Sequence, residues 1–239
     1  MKDAYEIFFK EFEIDLERLA QFGINETIKI EPEKAKIEWD ILKKKLSGEI
    51  PEIVYIRGAG RDANTTQLYL DLFENLFPNV IFKKDPTNNA KPRRLIETQT
   101  GFKRSEKKHK NYESITNYQV SHIFGRTKNP YAFVAPWNVV FLPKIIDPFT
   151  GHESKGEFTN TFINIFQNHF QNIYEEMILE FDEEMIKCNK AIQNYVLSLD
   201  HLNEKTKKYT PNQIKKFKET VFGEFSPIIK KTTELVWYL

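Results

Sequence analysis

The stretch SHIFGRTKNPYAFVAPWNVVFLPKIIDPFTGHESKG, residues 121–156, decides how this chain is read. It continues a run, Tyr118-Gln119-Val120-Ser121-His122-Ile123-Phe124, whose apolar and polar side chains alternate as in a half-buried strand, and Gly125 ends it. A loop holding Asn129 and Pro130 leads to a second strand, Trp137-Asn138-Val139-Val140-Phe141-Leu142, and Pro143, Pro148 and Gly151 then break the regular pattern. After Gly156, apolar residues recur at steps of three and four from Phe158 through Phe162, Phe166 and Phe170 to Ile192, the spacing of an amphipathic helix. The expected order at the centre is strand, loop, strand, turn, long helix.

Working outward, residues 2–22 carry Ile7, Phe8, Phe12, Leu16, Leu19 and Phe22 at near-helical spacing and end at Gly23. Pro32 opens a second helix that Gly48 stops. Residues 53–56 are a short apolar strand before the glycine turn Gly58-Ala59-Gly60, a helix is expected over 63–77, and Val80-Ile81-Phe82 is another strand. From 85 to 109 the sequence is polar and basic, with Pro86, Asn88, Asn89 and Pro92 as loop signals. A last helix is expected from about Pro211 to Tyr238, bent at Pro227. The fold class is α+β, helix-rich with short strands. Three segments, 1–115, 116–175 and 176–239, are expected to form one compact unit.

Forty per cent hydrophobic and 29% charged residues describe an ordinary globular chain. A single cysteine, Cys188, excludes a disulfide framework and a cysteine-based zinc site and suits a reducing compartment. No apolar run approaches the roughly 20 residues needed to span a bilayer, and acids at Asp3 and Glu6 are unlike a secretory signal. A cytoplasmic protein without membrane contact is expected. The net charge of +1 hides an uneven distribution: residues 83–110 hold ten Lys or Arg against three acids, whereas 169–184 hold six acids and no Lys or Arg. Such a basic segment can draw a polyanion locally. Arg93, Arg94, Lys103, Arg104, Lys107 and Lys108 are the candidate phosphate contacts, with Tyr112 and Tyr118 available for stacking. The same lysines equally suit a solvated loop.

Hydrolysing a phosphodiester requires a water deprotonated near neutral pH and positive charge on the phosphate. Histidine suits the first task by its pKa, and carboxylate oxygens suit a hard cation for the second. With a histidine late in the first strand, an asparagine opening the second and an acid ahead of the helix, residues 121–156 resemble the His-Me finger (HNH, ββα-metal) nucleases, type II restriction enzymes in particular. That resemblance implies an embedded ββα-metal motif in which His122 is the general base and Asn138 braces the loop carrying it. It implies a metal ligand at Asp147, nine residues beyond Asn138, or at His152, with Asn160 as a further candidate in the helix. Three departures accompany it. Ser121 stands where many members have a second metal ligand, the usual metal histidine is replaced by Asp147 or displaced to His152, and the zinc cysteines of some members are absent. Each residue also has an ordinary structural use: His122 as a satisfied interior histidine, Asn138 as a turn residue, Asp147 as a helix cap.

The function expected on this basis is site-specific, Mg²⁺-dependent cleavage of double-stranded DNA, with Mn²⁺ as a possible substitute. A homodimer would match a palindromic target. Lys144 and Lys155 would contact flanking phosphates, and Arg57, Arg61, Asn64, Gln67, Asn88, Asn89, Arg93 and Arg94 are polar enough to read base edges. Two alternatives use the same residues. Asp147, Glu153 and Lys155 spell the Asp…Glu-x-Lys pattern of PD-(D/E)xK nucleases, and a nucleic-acid-binding module without catalysis needs only the basic segment.

Overall fold

The computed structural model describes residues 2–59, 63–150, 154–200 and 208–229. The first 22 residues form parts of two helices instead of one. Asp3 caps α1 (Ala4–Glu11) by accepting from the Tyr5 amide at 2.9 Å. Glu13 then takes a left-handed conformation with φ 51°, and Asp15 caps α2 (Leu16–Glu26) by accepting from the Glu17 amide. Gly23 does not end that helix. It is buried inside it, where a Cβ would come within 2.7 Å of Ile146 Cδ1.

Pro32 opens α3 (Pro32–Leu46), which stops before Gly48 at φ 82°. β1 (Val54–Ile56), α4 (Ala63–Leu76) and β2 (Phe82–Lys84) make a βαβ unit with the strands parallel and Val54 opposite Phe82. The second strand therefore lies two residues beyond the expected 80–82. The basic stretch expected as loop contains a helix, α5 (Ala90–Thr100). The buried Asp85 carboxylate accepts from the amides of Thr87, Ala90 and Lys91, so the start of α5 is capped from five residues upstream. Gly101 closes the helix in the left-handed region at φ 77°. Two three-residue strands come next, β3 (Phe102–Arg104) and β4 (Glu113–Ile115), paired in parallel.

The central hairpin is β5 (Tyr118–His122) with β6 (Val139–Pro143), antiparallel, joined by a loop that includes the short α6 (Pro130–Phe133). The outer edge of β6 is covered by Ile28, which exchanges both backbone hydrogen bonds with Phe141 at 3.0 and 2.9 Å. All five residues of β6 are consequently buried. A 3-10 turn (Asp147–Thr150) precedes α7 (Glu157–Ile173) and α8 (Glu175–Ser198). The long helix expected after Gly156 thus breaks at Tyr174, whose hydroxyl donates to the Ile30 carbonyl at 2.6 Å. α9 (Pro211–Glu224) begins with a Thr210–Gln213 capping box and ends well short of Tyr238.

The three sequence segments interleave. α2 packs on α7 and β6, α4 packs on α8 and α9, and α5 packs on β6. Aromatic rings fill the junction: Trp137 meets Trp39 edge-on at 5.7 Å and Phe181 at 5.2 Å between ring centroids. Each such pair adds about 0.5–1.5 kcal/mol beyond the burial itself. Among the described residues no helix is long and apolar enough to cross a membrane.

Candidate functional site

His122 is the last residue of β5, and its ring turns into the protein. The residue is 6% exposed, its ring stacks near Phe133 at 5.8 Å, and Nε2 lies 2.8 Å from the Phe133 carbonyl oxygen. A carbonyl only accepts, so Nε2 carries the proton and a neutral His122 has its lone pair at Nδ1. Asn138, fully buried in the turn directly before β6, holds the loop between the two strands. Its Oδ1 accepts from the Phe124 amide at 2.8 Å, while Nδ2 donates to the carbonyls of Gly125 and Ala132, each at 3.0 Å. Main-chain bonds from Ile123 N to Asn138 O and from Asn138 N to Ala135 O complete the brace.

The loop is bound from two further sides. Gly125 and Arg126 both have positive φ, 66° and 52°, so the chain reverses immediately after β5. The Arg126 guanidinium then donates to the carbonyls of Phe124, Ser226 and Pro227 and to the Ser226 hydroxyl, tying the loop to the segment after α9. From α7, Gln167 Nε2 donates to the Ile123 carbonyl at 2.7 Å. Neither Arg126 nor Gln167 stands out in the sequence. The Gly125-Arg126 pair directly after a strand is a visible turn signal, whereas a helix-face glutamine gives none.

The metal-ligand candidates stand elsewhere. His122 pairs with Val139 and Tyr118 with Pro143, so the two ends of the hairpin are about 13 Å apart at strand spacing. Lys144 N bonds Asn117 O at 2.8 Å and Asp147 N bonds Lys144 O at 3.3 Å, which puts Asp147 at the Tyr118 end. α7 starts at that same end. Ser154 bonds both the Pro148 carbonyl and the Thr159 hydroxyl there, and the helix reaches the His122 end only at Gln167. Asn160, an exposed residue near the helix start, is seven residues earlier, about 10 Å along the axis. The hairpin and helix therefore do not bring Asp147 or Asn160 together with His122. His152 and Glu153 lie outside the described residues, and among those described no three His, Cys, Asp or Glu side chains gather as a metal site. Asp147 begins a 3-10 turn and not a strand, unlike the carboxylates of the Asp…Glu-x-Lys pattern.

The basic candidates fall on neighbouring elements. Arg93 and Arg94 are exposed on α5, Arg93 loosely paired with Glu97 at 4.0 Å. Lys103 and Arg104 lie on β3, with the Lys103 ammonium 5.4 Å from the Tyr112 ring centroid, and Lys107 and Lys108 are exposed in the loop after it. Lys144 and Lys155 are exposed near the Tyr118 end. Arg61 and the side chain of Asn64 lie outside the described residues. Asn88 accepts from the Gly58 amide and Gln67 donates to Asp71, so both are structural in this arrangement.

On the His122 side, residues 125–128 form one wall of a cleft of about 670 Å³, closed by Arg57, Gly58 and Ala59 after β1 and by Lys216, Thr220 and Glu224 of α9. Burial pushes the Glu224 carboxyl up, and the Lys128 amide, with the charges of Lys128, Arg126 and Arg57, pulls it back.

The family model described as uncharacterised protein PM1201 matches residues 30–230. An uncharacterised protein PM1201 from Pasteurella multocida (strain Pm70) is 43% identical over 231 residues, which covers 96% of this chain and 98% of that relative. The chain belongs to the PM1201 family. No solved structure matches it. The family match spans the βαβ unit, the hairpin and α9, so every wall of the cleft and the whole His122 loop fall within it.

Proposed function

We propose that this PM1201-family protein is an endonuclease that hydrolyses phosphodiester bonds in double-stranded DNA at the His122 end of the β5–β6 hairpin. The observation that carries the reading is the loop geometry. A histidine closes the first strand with Nε2–H fixed on a main-chain carbonyl, and the asparagine directly before the second strand bonds the loop at three points. In this role His122 is the base towards an attacking water, and the Phe133 carbonyl stabilises the imidazolium that forms by holding Nε2–H. Asn138 fixes the loop so that the ring need not reorganise during the reaction. The basic surface of α5, β3 and the loop after β3 supplies the long-range attraction for DNA.

The Mg²⁺ or Mn²⁺ that the resemblance implies would supply charge on the phosphate. The described residues do not form a ligand set for it at His122. Asp147 and Asn160, at the other end of the hairpin, do not fit as its ligands there, and His152 lies outside the described residues. A restriction-type, site-specific enzyme acting in the cytoplasm as a homodimer is part of the same reading, since one site cuts one strand.

Incubation of supercoiled plasmid with the protein in Mg²⁺, Mn²⁺ or EDTA tests it. Discrete fragments with metal alone are expected, and a smear would keep the chemistry while removing site specificity. A second reading has one observation in its favour: His122 is 6% exposed, as suits a purely structural ring. The chain would then bind nucleic acid without cutting it, and tight binding with no cleavage in any metal would favour that reading.

A further inference from the structure

We propose that the cleft between residues 57–59 after β1, residues 125–128 and α9 is a phosphate-binding site that seats one backbone phosphate of a DNA strand, with Arg57 and Lys216 as its donors. The identity of the ligand rests on the nuclease reading, whereas the site itself rests on separate observations. Its volume, about 670 Å³, falls within the range of small-ligand sites, about 300–1,000 Å³.

The lining is unevenly charged. Arg57, Arg126, Lys128 and Lys216 face Glu219 and Glu224, and both acids are engaged. Glu224 accepts from the Lys128 amide at 2.9 Å, and Glu219 lies 3.9 Å from Lys215. Arg126 contributes charge but has directed its donors at protein oxygens. The Lys128 ammonium rests 5.4 Å from the Tyr69 ring centroid. Among the described residues Arg57 and Lys216 have no acidic partner within ion-pair distance. A cleft with surplus cations and open donors favours an anion, and phosphate matches both the planar guanidinium and the ammonium.

The described residues of the glycine turn offer no open amides. The Gly58 and Ala59 amides are already bonded to Asn88 Oδ1 and Thr66 Oγ1, each at 2.8 Å. Location supplies the link to the reaction. Residues 125–128 follow β5 after Ile123 and Phe124, and Asn138 holds the Gly125 carbonyl. A phosphate seated here would lie against the loop that presents His122, whereas Asp147 is at the other end of the hairpin.

The test is fluorescence anisotropy of a labelled DNA duplex in EDTA, so that nothing is cut, with wild type, Lys216→Gln and the double variant Arg57→Gln/Lys216→Gln. Lys216 is exposed on α9, so its replacement leaves the fold intact, and circular dichroism verifies this for both variants. Loss of a charge-assisted contact is expected to weaken duplex binding about tenfold. In the double variant the slope of log affinity against log salt should fall by about one. Unchanged affinity and slope in the double variant overturn the proposal, as does a wild-type protein that binds no duplex. Adenosine monophosphate serves as the competing probe. If the variants lose binding of the mononucleotide while holding duplex as tightly as wild type, the cleft serves a free nucleotide and the strand assignment is overturned. Variants that bind duplex like wild type in EDTA and cut plasmid like wild type in a parallel incubation with Mg²⁺ defeat this proposal alone. Variants that lose binding, beside a wild type that never cuts, leave the cleft and defeat the nuclease reading.

Discussion

Replacing Asn138 with alanine removes three hydrogen bonds at once. The Phe124 amide is buried and loses its acceptor, whereas the Ala132 carbonyl still accepts from the Ala135 amide at 3.4 Å and the carbonyl of half-exposed Gly125 can recover a water. A buried group left without a partner costs about 1–3 kcal/mol, so this one together with the vacated volume makes Asn138→Ala destabilising by about 2–4 kcal/mol. That is a large share of the roughly 5–15 kcal/mol by which domains are stable. Urea unfolding followed by tryptophan fluorescence measures it, with the slope required to stay constant. Asn138→Asp sharpens the test, because it keeps an acceptor for Phe124 but aims an oxygen at two carbonyls. At neutral pH it should be no more stable than the alanine variant. The introduced carboxyl is better protonated in the folded state, so its folded pKa exceeds the unfolded value, and the deficit should shrink as pH falls through that raised pKa. An alanine variant within about 1 kcal/mol of wild type, or an aspartate variant that is the more stable at neutral pH, would refute the brace.

Two other perturbations arise from the packing. Gly23→Ala would set a methyl 2.7 Å from Ile146 Cδ1 and 3.3 Å from the Phe162 ring, both residues fully buried, so it should cost about 1–3 kcal/mol, read as a lowered melting temperature; an unchanged melting temperature would mean that α2 does not meet α7 this closely. Glu180 joins α3 to α8. Burial alone would raise its carboxyl, but hydrogen bonds from Lys36, Lys43 and Trp39 override that and hold it at about 2. A depressed folded pKa gives stability that is present above the unfolded value and is lost as pH falls towards 2. Glu180→Gln should therefore flatten the acid limb of the stability–pH curve, and a variant with an unchanged limb would count against this pairing.

The hairpin was legible because alternation, the glycine after β5 and an asparagine before an apolar run all point to one register. Its consequences were not. Counting nine residues from Asn138 to Asp147 ignores direction: β6 carries the chain away from His122, and only α7 returns, reaching that end at Gln167. The inward turn of His122 depended on the Phe133 carbonyl supplied by α6. α5 was hidden because its cap is Asp85 instead of its neighbour Asn89, whose side chain makes no capping bond. β3 and β4 pair over only three residues each, too short for periodicity to register. The break falls at Tyr174, whose hydroxyl reaches Ile30 far away in the chain, a contact that no local pattern encodes. The cleft cations come from β1, the hairpin loop and α9, so nothing in the linear order placed Arg57 beside Lys216.

The most direct test of the nuclease reading is plasmid cleavage by wild type and His122→Ala side by side, each in Mg²⁺ and in EDTA, with duplex binding and circular dichroism measured on the same preparations. A general base contributes about 10²–10⁴-fold, so the expected result is metal-dependent fragments from wild type and at least a hundredfold slower cleavage by a variant that is folded and binds DNA normally. A folded His122→Ala protein that cuts as fast as wild type, or a wild type that binds DNA and never cuts it, would contradict the assignment of His122 as the base.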